Sequence, residues 1–464
     1  MARFTLTEIA ALTGGQLHGD GSIVVDTYRF DSRLISGGDT LFIAVPGQER
    51  DGHEFLSDAV AQGAVAALVV AGRAAPEIPH VVVAETYAAL HALADAARQR
   101  INPKRVAITG SVGKTTVKDF TVAACATSFR VHASPGSQNN ELGVPLTVLS
   151  MPDNTEILVS EIGARHSGDI ANLAPLVSPH VSVVTAVSGV HLEVFGSIDA
   201  IARAKAELVD ALDETGTAVL NMDDERVAAM ASRAANVLAV HPISAHGDVY
   251  ATNVQLDRLS RVSAQAITPW GNTALTVGLP GRHHLANALF AISVAGLFGA
   301  DITAAAGAIA DAKTSPWRSE LHDLDGLLLL NDAYNANPLS MRAAIDSLHD
   351  LVVSGRRIAV LGEMAEIGET AAAEHYGVGG YTASHGVDLL IVVGDSAALI
   401  ARGAREHGLD GVIQCADARE ATATLQEHAT SGDAVLVKAS RSAGLEAIAS
   451  ALLAQVHATD RNAQ

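Results

Sequence analysis

The stretch Val106-Ala-Ile-Thr-Gly-Ser-Val-Gly-Lys-Thr-Thr116 decides the fold. Val106–Thr109 reads as a buried strand, a glycine loop follows, and a helix-like run starts near Thr115. Glycines at 110 and 113 let backbone N–H groups turn toward a phosphate, and a helix opening near Lys114 adds its positive dipole end. Lys114 can reach the β- and γ-phosphates of ATP, and Thr115 can offer a hydroxyl to Mg²⁺. Ile108 stands where the longer form of such a loop has its first glycine, so the loop is the shortened G-x-x-G-K-T-T. Gly110, Ser111, Val112, Gly113, Lys114, Thr115 and Thr116 are therefore candidate ATP-binding residues. An ordinary strand–turn–helix is the bland alternative, and the coincidence of strand, loop, lysine and tandem threonine weighs against it.

On both sides of this loop short apolar runs alternate with helical patterns, the signature of parallel sheets with crossover helices. Upstream, runs at Ser22–Val25, Thr40–Val45, Ala66–Val70 and His80–Val83 predict a small α/β domain over residues 1–99. The domain opens with a short N-terminal amphipathic helix that has Thr7 as candidate cap. Asn102-Pro103 within Arg100–Arg105 reads as a linker. A central ATP-binding domain over residues 100–312 is predicted to add strands at Ile157–Ser160, Val181–Ala186 and Ala218–Asn221, with 249–279 as an antiparallel appendage. A third unit over 313–464 starts near Lys313-Thr314-Ser315-Pro316, with strands at Leu327–Asn331, Arg357–Leu361, Leu389–Val393 and Ala434–Val437. It resembles a dinucleotide-binding fold, but no full G-x-G-x-x-G follows any of its strands, so no nicotinamide site is expected. The fold class is α/β in three domains.

Composition narrows the function classes. With 464 residues the chain is too long for one core, and roughly two to four domains are expected. Hydrophobic residues at 48% against 18% charged describe a globular chain. A formal charge of −20 argues against non-specific nucleic-acid binding, and 4% aromatics leave little material for base stacking. No apolar run approaches the roughly 20 residues of a membrane helix, and the N-terminus lacks the marks of a signal peptide. A cytoplasmic location without membrane insertion is expected. Two cysteines, Cys125 and Cys415, supply neither a disulfide framework nor a thiolate metal site and read as core residues.

Three further residues and one short stretch are candidates for chemistry. Glu161 ends a buried strand, at the sheet edge where ligands of such folds bind; it is a Mg²⁺ ligand candidate or else a helix-capping carboxylate. His191 follows the next strand end, where a structural histidine is the alternative. Lys205, in IARAKAELVDAL, taken alone is a surface lysine. In Asn331-Asp-Ala-Tyr-Asn-Ala-Asn-Pro338, Asp332 can accept from ribose hydroxyls, and Asn335 and Asn337 suit a peptide or sugar; an Asn-rich turn before Pro338 is the alternative.

Taken together these residues resemble the Mur ligases of bacterial cell-wall synthesis along nearly the whole chain. The likeness runs through FDSRLISGGDTLFIAVPGQERDGHEF, with Asp31, Ser32, Arg33, Gly47, Asp51, Gly52 and His53 matching. It continues through TGSVGKTT, QNNELGVP with Asn139 and Asn140, Glu161, His191, Lys205 and Gly281-Arg-His-His-Leu-Ala-Asn-Ala288. It closes with NDAYNANP, LGEMAEIGE with His375, and VKASRSAGLE with Lys438, Ser440, Arg441 and Glu446. His284, Val112 and Arg165 stand where the family commonly has Asn, Trp317 where it has Gly, and Ala439 where it commonly has Gly.

The resemblance implies a domain for a UDP-linked substrate, an ATP-binding domain and a mobile C-terminal domain closing over both. NDAYNANP followed by LGEMAEIG favours members whose substrates are UDP-N-acetylmuramoyl-tripeptide and D-alanyl-D-alanine. It assigns Lys114, Glu161, His191 and Lys205 as catalytic, and Asn287, Arg318 and Asp332 as ATP-binding beside the glycine loop. It makes Asp31, Ser32, Arg33, Gly47, Asn139, Asn140, Tyr334, Asn335 and Asn337 substrate-binding. It implies two Mg²⁺ ions held by Thr115, Glu161, His191 and Lys205, the last as a CO₂-derived carbamate. A monomer is the expectation. A folylpolyglutamate-type ligase and a nucleotide-binding module without ligase chemistry remain the rival readings.

Overall fold

A computed structural model describes residues 2–47, 50–73 and 77–462 of the chain. It contains three main sheets, each of mostly parallel strands flanked by helices.

The first sheet has five strands in the order Gln16–His18, His80–Val83, Ala66–Val70, Thr40–Ile43, Thr27–Arg29; only the Gln16–His18 edge is antiparallel. The expected Ser22–Val25 strand shrinks to Val24–Val25, paired with Phe4–Thr5 outside this sheet. The N-terminal helix spans Leu6–Thr13, and its cap is Thr5, not Thr7. Thr5 Oγ1 accepts from Glu8 N while the Glu8 carboxylate accepts from Thr5 N, a reciprocal pair that Thr7 has no partner to make. Thr7 instead donates to Gly21 O.

Arg100–Arg105 is no flexible linker. Helix Thr86–Ile101 ends on Asn102 in the left-handed conformation (φ 49°), and the next strand begins at Lys104. Leu90, Leu93 and Ala97 of that helix share one apolar cluster with Val144, Val148, Ile170 and Leu173, so the first sheet and the next unit have a common core.

The central sheet has nine strands. From one edge they run Gly271–Pro280, Arg261–Thr268, Val249–Leu256, Asn236–His241, Thr217–Asn221, Val181–Val184, Lys104–Thr109, Ile157–Glu161, Val131–Ala133. The antiparallel segment is continuous with this sheet through the parallel pairing of Val240 with Val249, so it extends the sheet rather than hanging from it. Strand Lys104–Thr109 lies between strands that follow it in both directions, which makes its carboxyl end the topological switch point. Helix Lys114–Ala126 starts there and packs Phe120 against the almost wholly buried helix His284–Phe298.

The third sheet has six strands, Glu320–Leu324, Leu327–Asn331, Ala434–Lys438, Arg357–Leu361, Leu389–Val393 and Val412–Cys415, parallel except for the first. Among the described residues its apolar clusters contain residues from 321 onward and none from the other units. Cys125 and Cys415 are both buried, and burial pushes the Cys125 thiol up to about 12, as expected of core cysteines. Among the described residues no helix is long and apolar enough to cross a membrane.

Phe120 is fully buried on the helix that opens with Lys114. Phe120→Ala is expected to cost roughly 3–5 kcal/mol of stability, seen as a lowered thermal midpoint that ADP partly restores; an unchanged midpoint contradicts this packing.

Candidate active site

The carboxyl ends of three neighbouring strands meet at one edge. Glu161 pairs in register with Ile108 and Val184 with Thr109, which sets Gly110, Glu161 and Thr185 side by side. Gly110 has φ +146°, and a Cβ there would lie 2.0 Å from Thr185 Oγ1. Gly113 has φ +82° and backs onto Asn287, whose Oδ1 would be 2.7 Å from such a Cβ. Only glycine suits either position. Ser111 Oγ donates to Ser188 O (3.0 Å) and accepts from Ser188 N (2.9 Å), so the loop is tied to the segment leading to His191. Lys114 Nζ donates to Gly110 O at 2.8 Å, and burial pushes this ammonium below the usual lysine range.

Glu161 is no helix cap. It is 1% exposed, Thr115 Oγ1 donates to its Oε2 (2.8 Å), and Asn139 Nδ2 donates to its Oε1 (2.6 Å). Lys205 is no surface lysine either: at 2% exposure it lies within helix Ile198–Asp210, and burial, aided by the charge of Lys114, holds it at about 7. His191 opens the short helix Leu192–Phe195 in the left-handed conformation (φ 53°). Burial, with the charges of Lys114 and Lys205, lowers its pKa against the opposing pull of Glu366.

A cavity of about 1820 Å³ collects these groups. Its walls include the glycine loop, Asn139, Asn140, Glu161, His191 and Lys205 from the central unit, with Asn287 from the helix beyond. The third unit adds Arg318, Asp332, Tyr334, Asn335, Asn337 and Lys438, and the first adds Gly47, Tyr87 and His91. Asp31, Ser32 and Arg33 do not line this cavity. They follow strand Thr27–Arg29, where Asp31 caps the turn Ser32–Leu34 and pairs with the Arg33 guanidinium at 2.7 Å.

Several motif residues are committed to architecture. Asn337 caps helix Pro338–Asp350 through Ser340, so the Asn-rich turn is structural there as well as facing the cavity. Asn335 Oδ1 accepts from Ala336 N, and Asn140 Oδ1 from Gly143 N. Asp332 accepts from Ser319 N (3.0 Å) and from the buried Lys438 Nζ (2.5 Å), so a ribose hydroxyl would share an oxygen already engaged. His53 Nε2 accepts from Val70 N. Trp317, in the family's glycine position, has φ +61°; the strain of a bulky residue there accompanies packing of the Arg441 guanidinium over its ring at 4.3 Å. His284 is buried, neutral through that burial, and its Nε2 has no partner.

Lys118 and Asp119, one helical turn beyond the loop, belong to no motif in the sequence but hold the loop's surroundings. Lys118 Nζ donates to Ser134 O (2.8 Å) and Gly136 O (2.5 Å), and Asp119 Oδ2 accepts from Ser315 N (2.7 Å). Their spacing from Lys114 and Thr115, four residues in each case, was the available signal.

Three family models match successive segments: the Mur ligase family catalytic domain over residues 25–106, the Mur ligase middle domain over 108–295, and the Mur ligase glutamate ligase domain over 317–441. A UDP-N-acetylmuramoyl-tripeptide–D-alanyl-D-alanine ligase from Mycobacterium tuberculosis is 39% identical over 98% of both chains. The chain belongs to the Mur ligase family. A second relative of that name, from Escherichia coli, is 34% identical over 97% of this Mur ligase and 99% of its own length. Among solved structures, MurF from Acinetobacter baumannii superposes with a TM-score of 0.87 at 28% identity, covering 97% and 99% of the two chains. MurF ligase from Thermotoga maritima in complex with ADP gives 0.80 at 26%, covering 94% and 99%.

In this Mur ligase, Gly110→Ala combines a disfavoured φ with a close approach to Thr185. A strain of roughly 1–3 kcal/mol is expected to weaken ADP binding by about tenfold or more, with far-UV circular dichroism unchanged. Calorimetric titration showing wild-type affinity would contradict the assigned loop geometry.

Proposed function

We propose that the protein is an ATP-dependent ligase that joins D-alanyl-D-alanine to the terminal carboxylate of UDP-N-acetylmuramoyl-tripeptide through an acyl phosphate. The observation that carries this reading is the cavity shared by the glycine loop, Glu161 and Lys205 with Tyr334, Asn335 and Lys438 of the third unit. It brings a phosphate-binding loop and the NDAYNANP stretch into one space. The full-length likeness to ligases of that name supports it.

A carboxylate is a poor electrophile, so the reaction needs activation. A carboxylate oxygen of the tripeptide attacks the γ-phosphorus of ATP, the bond to the β-phosphate oxygen breaks, and ADP leaves. The free amine of the dipeptide then attacks the acyl carbon. The C–O bond to phosphorus breaks, inorganic phosphate departs, and the amine's proton is lost to solvent or a nearby base. Lys114 offsets charge on the transferring oxygens, and the backbone amides of Gly110–Gly113 cradle them. Arg318 and Asp332 bring the third unit to the nucleotide, and Tyr334, Asn335 and Asn337 shape the amine side. Enclosure between the units keeps water from the acyl phosphate.

The residues fit magnesium. Thr115 Oγ1 and Glu161 are hard oxygen donors, and Glu161 is a single carboxylate beside the phosphate loop. Among the described residues no three His, Cys, Asp or Glu side chains form a cage, which suits an ion that takes its remaining ligands from phosphate and water. Thr115 and Glu161 would hold one ion; His191 and Lys205 would hold a second. When bound, the ions supply positive charge to the phosphate oxygens.

An ammonium on Lys205 would oppose a cation beside it. Its burial favours the neutral amine, which adds to CO₂ with loss of a proton to give a carbamate, an anion with two oxygens. We assign this modification to Lys205. The protein is expected to act as a monomer in the cytoplasm.

Two experiments test the reading. Phosphate release is expected only when ATP, the UDP-tripeptide and the dipeptide are all present; rapid ADP release from ATP alone would contradict the ligase assignment. Lys205→Ala is expected to lose at least about 100-fold in activity while keeping its fold, with partial recovery in short carboxylic acids. Lys205→Arg cannot carry a carbamate, so full activity in that variant would overturn the modification.

A further inference from the structure

The LGEMAEIGE stretch forms a loop after strand Arg357–Leu361. The loop is held from within its own unit. Met364 N donates to His375 Nε2 (2.9 Å), Ala365 N donates to Ser440 Oγ (2.8 Å), and Ser440 N donates to Glu363 O (2.8 Å). His375 and Ser440 are each 3% exposed, so two motif residues outside the cavity serve as braces for this loop.

What the braces present is Glu366, a non-glycine residue at φ +61°. Its carboxylate lies 2.5 Å from His191 Nδ1 and 3.6 Å from the Arg165 guanidinium, both in the central unit. Two residues on, Gly368 approaches so closely that a Cβ on it would be 3.0 Å from Glu193 N, in the helix that His191 opens. The braced loop therefore docks on the His191 segment through both backbone and side chain.

A neutral imidazole carries its proton on one nitrogen, and the partner of one nitrogen decides what the other can do. A carboxylate at Nδ1 holds the proton there and leaves the Nε2 lone pair free. The His191 backbone is already fixed, since its carbonyl accepts from Val194 N and Phe195 N, both at 3.0 Å. Ring orientation is the remaining freedom, and the residue that restricts it comes from another domain. Arg165, in a family asparagine position, gives the incoming carboxylate a cation to settle against.

We propose that Glu366 is a positioning residue through which docking of the C-terminal unit fixes the ring of His191, holding the proton on Nδ1 and presenting Nε2 to the nucleotide cavity. This rests on the reading of His191 as a metal ligand. His191 thereby reaches its working geometry only when the units are together, which links closure to metal binding without any contact between Glu366 and the ion.

The test uses full-length protein with ADP and Mn²⁺ as a spectroscopic stand-in for magnesium. Free Mn²⁺ is counted by electron paramagnetic resonance, and the His191 tautomer is read by ¹⁵N NMR of histidine-labelled protein. The His191 signals are assigned by their loss in His191→Gln. Glu366→Ala is expected to weaken Mn²⁺ binding by about 10–100-fold and to shift His191 toward the Nε2–H tautomer. Glu366→Gln, which keeps an acceptor oxygen, should lose less. Because Glu366 is half-exposed, neither change opens a core cavity. Unchanged Mn²⁺ affinity and tautomer in Glu366→Ala, with Mn²⁺ binding weakened in His191→Gln, would overturn the proposal alone. Unchanged Mn²⁺ binding in His191→Gln would remove the ligand reading and this proposal together, while leaving the substrate dependence of phosphate release untouched.

Discussion

A carboxylate that is 1% exposed needs partners, and those of Glu161 tie together two segments that wall the cavity. One oxygen is held by Thr115, in the first turn after the glycine loop, and the other by Asn139, on the segment that leads into helix Gly143–Leu149. A single side chain therefore keeps the helix after the glycine loop and the neighbouring segment in register. The same helix extends that control one turn further. Lys118 grips the carbonyls of Ser134 and Gly136, and Asp119 grips the backbone of Ser315 in the connection to the third unit. Residues four apart lie on one helix face, so the contact of Thr115 with Glu161 and the anchor of Asp119 on Ser315 share one rigid body.

The two domain boundaries differ in their physics. The first and central units share an apolar cluster, and separating them would expose fully buried side chains such as Leu93 and Val148. The third unit keeps its apolar clusters to itself and meets the others through polar groups: Tyr334 with Ser137, Glu366 with His191 and Arg165, Asp119 with Ser315. Polar boundaries can be solvated when opened, at small cost compared with bare apolar surface. That asymmetry makes the boundary of the third unit the cheaper of the two to separate, while the first and central units are held by a common apolar cluster.

Strands were legible where an apolar run ended in glycine or a turn signal. Ala66–Val70, His80–Val83, Leu327–Asn331, Arg357–Leu361 and Leu389–Val393 lie where the sequence placed them. Glu320–Leu324 and Val412–Cys415 escaped because edge strands face water on one side and lack a continuous apolar run. Thr5 and Thr7 both precede the apolar pattern of this helix, and Glu8 selects Thr5 by reaching back to it. The burial of Lys205 cannot be read from a helix with mixed neighbours; only tertiary packing decides which face is dry. Lys438 with Asp332 and Glu366 with His191 are contacts between segments far apart in sequence, for which spacing carries no signal.

If the tripeptide carboxylate itself takes the γ-phosphoryl group, one of its oxygens leaves with the phosphate. With UDP-tripeptide labelled by ¹⁸O in its terminal carboxylate, and unlabelled ATP, dipeptide and water, mass spectrometry of the released phosphate reads the path. Each phosphate formed per amide bond is expected to carry one oxygen from that carboxylate. Phosphate without the label, its fourth oxygen drawn from water, would contradict it.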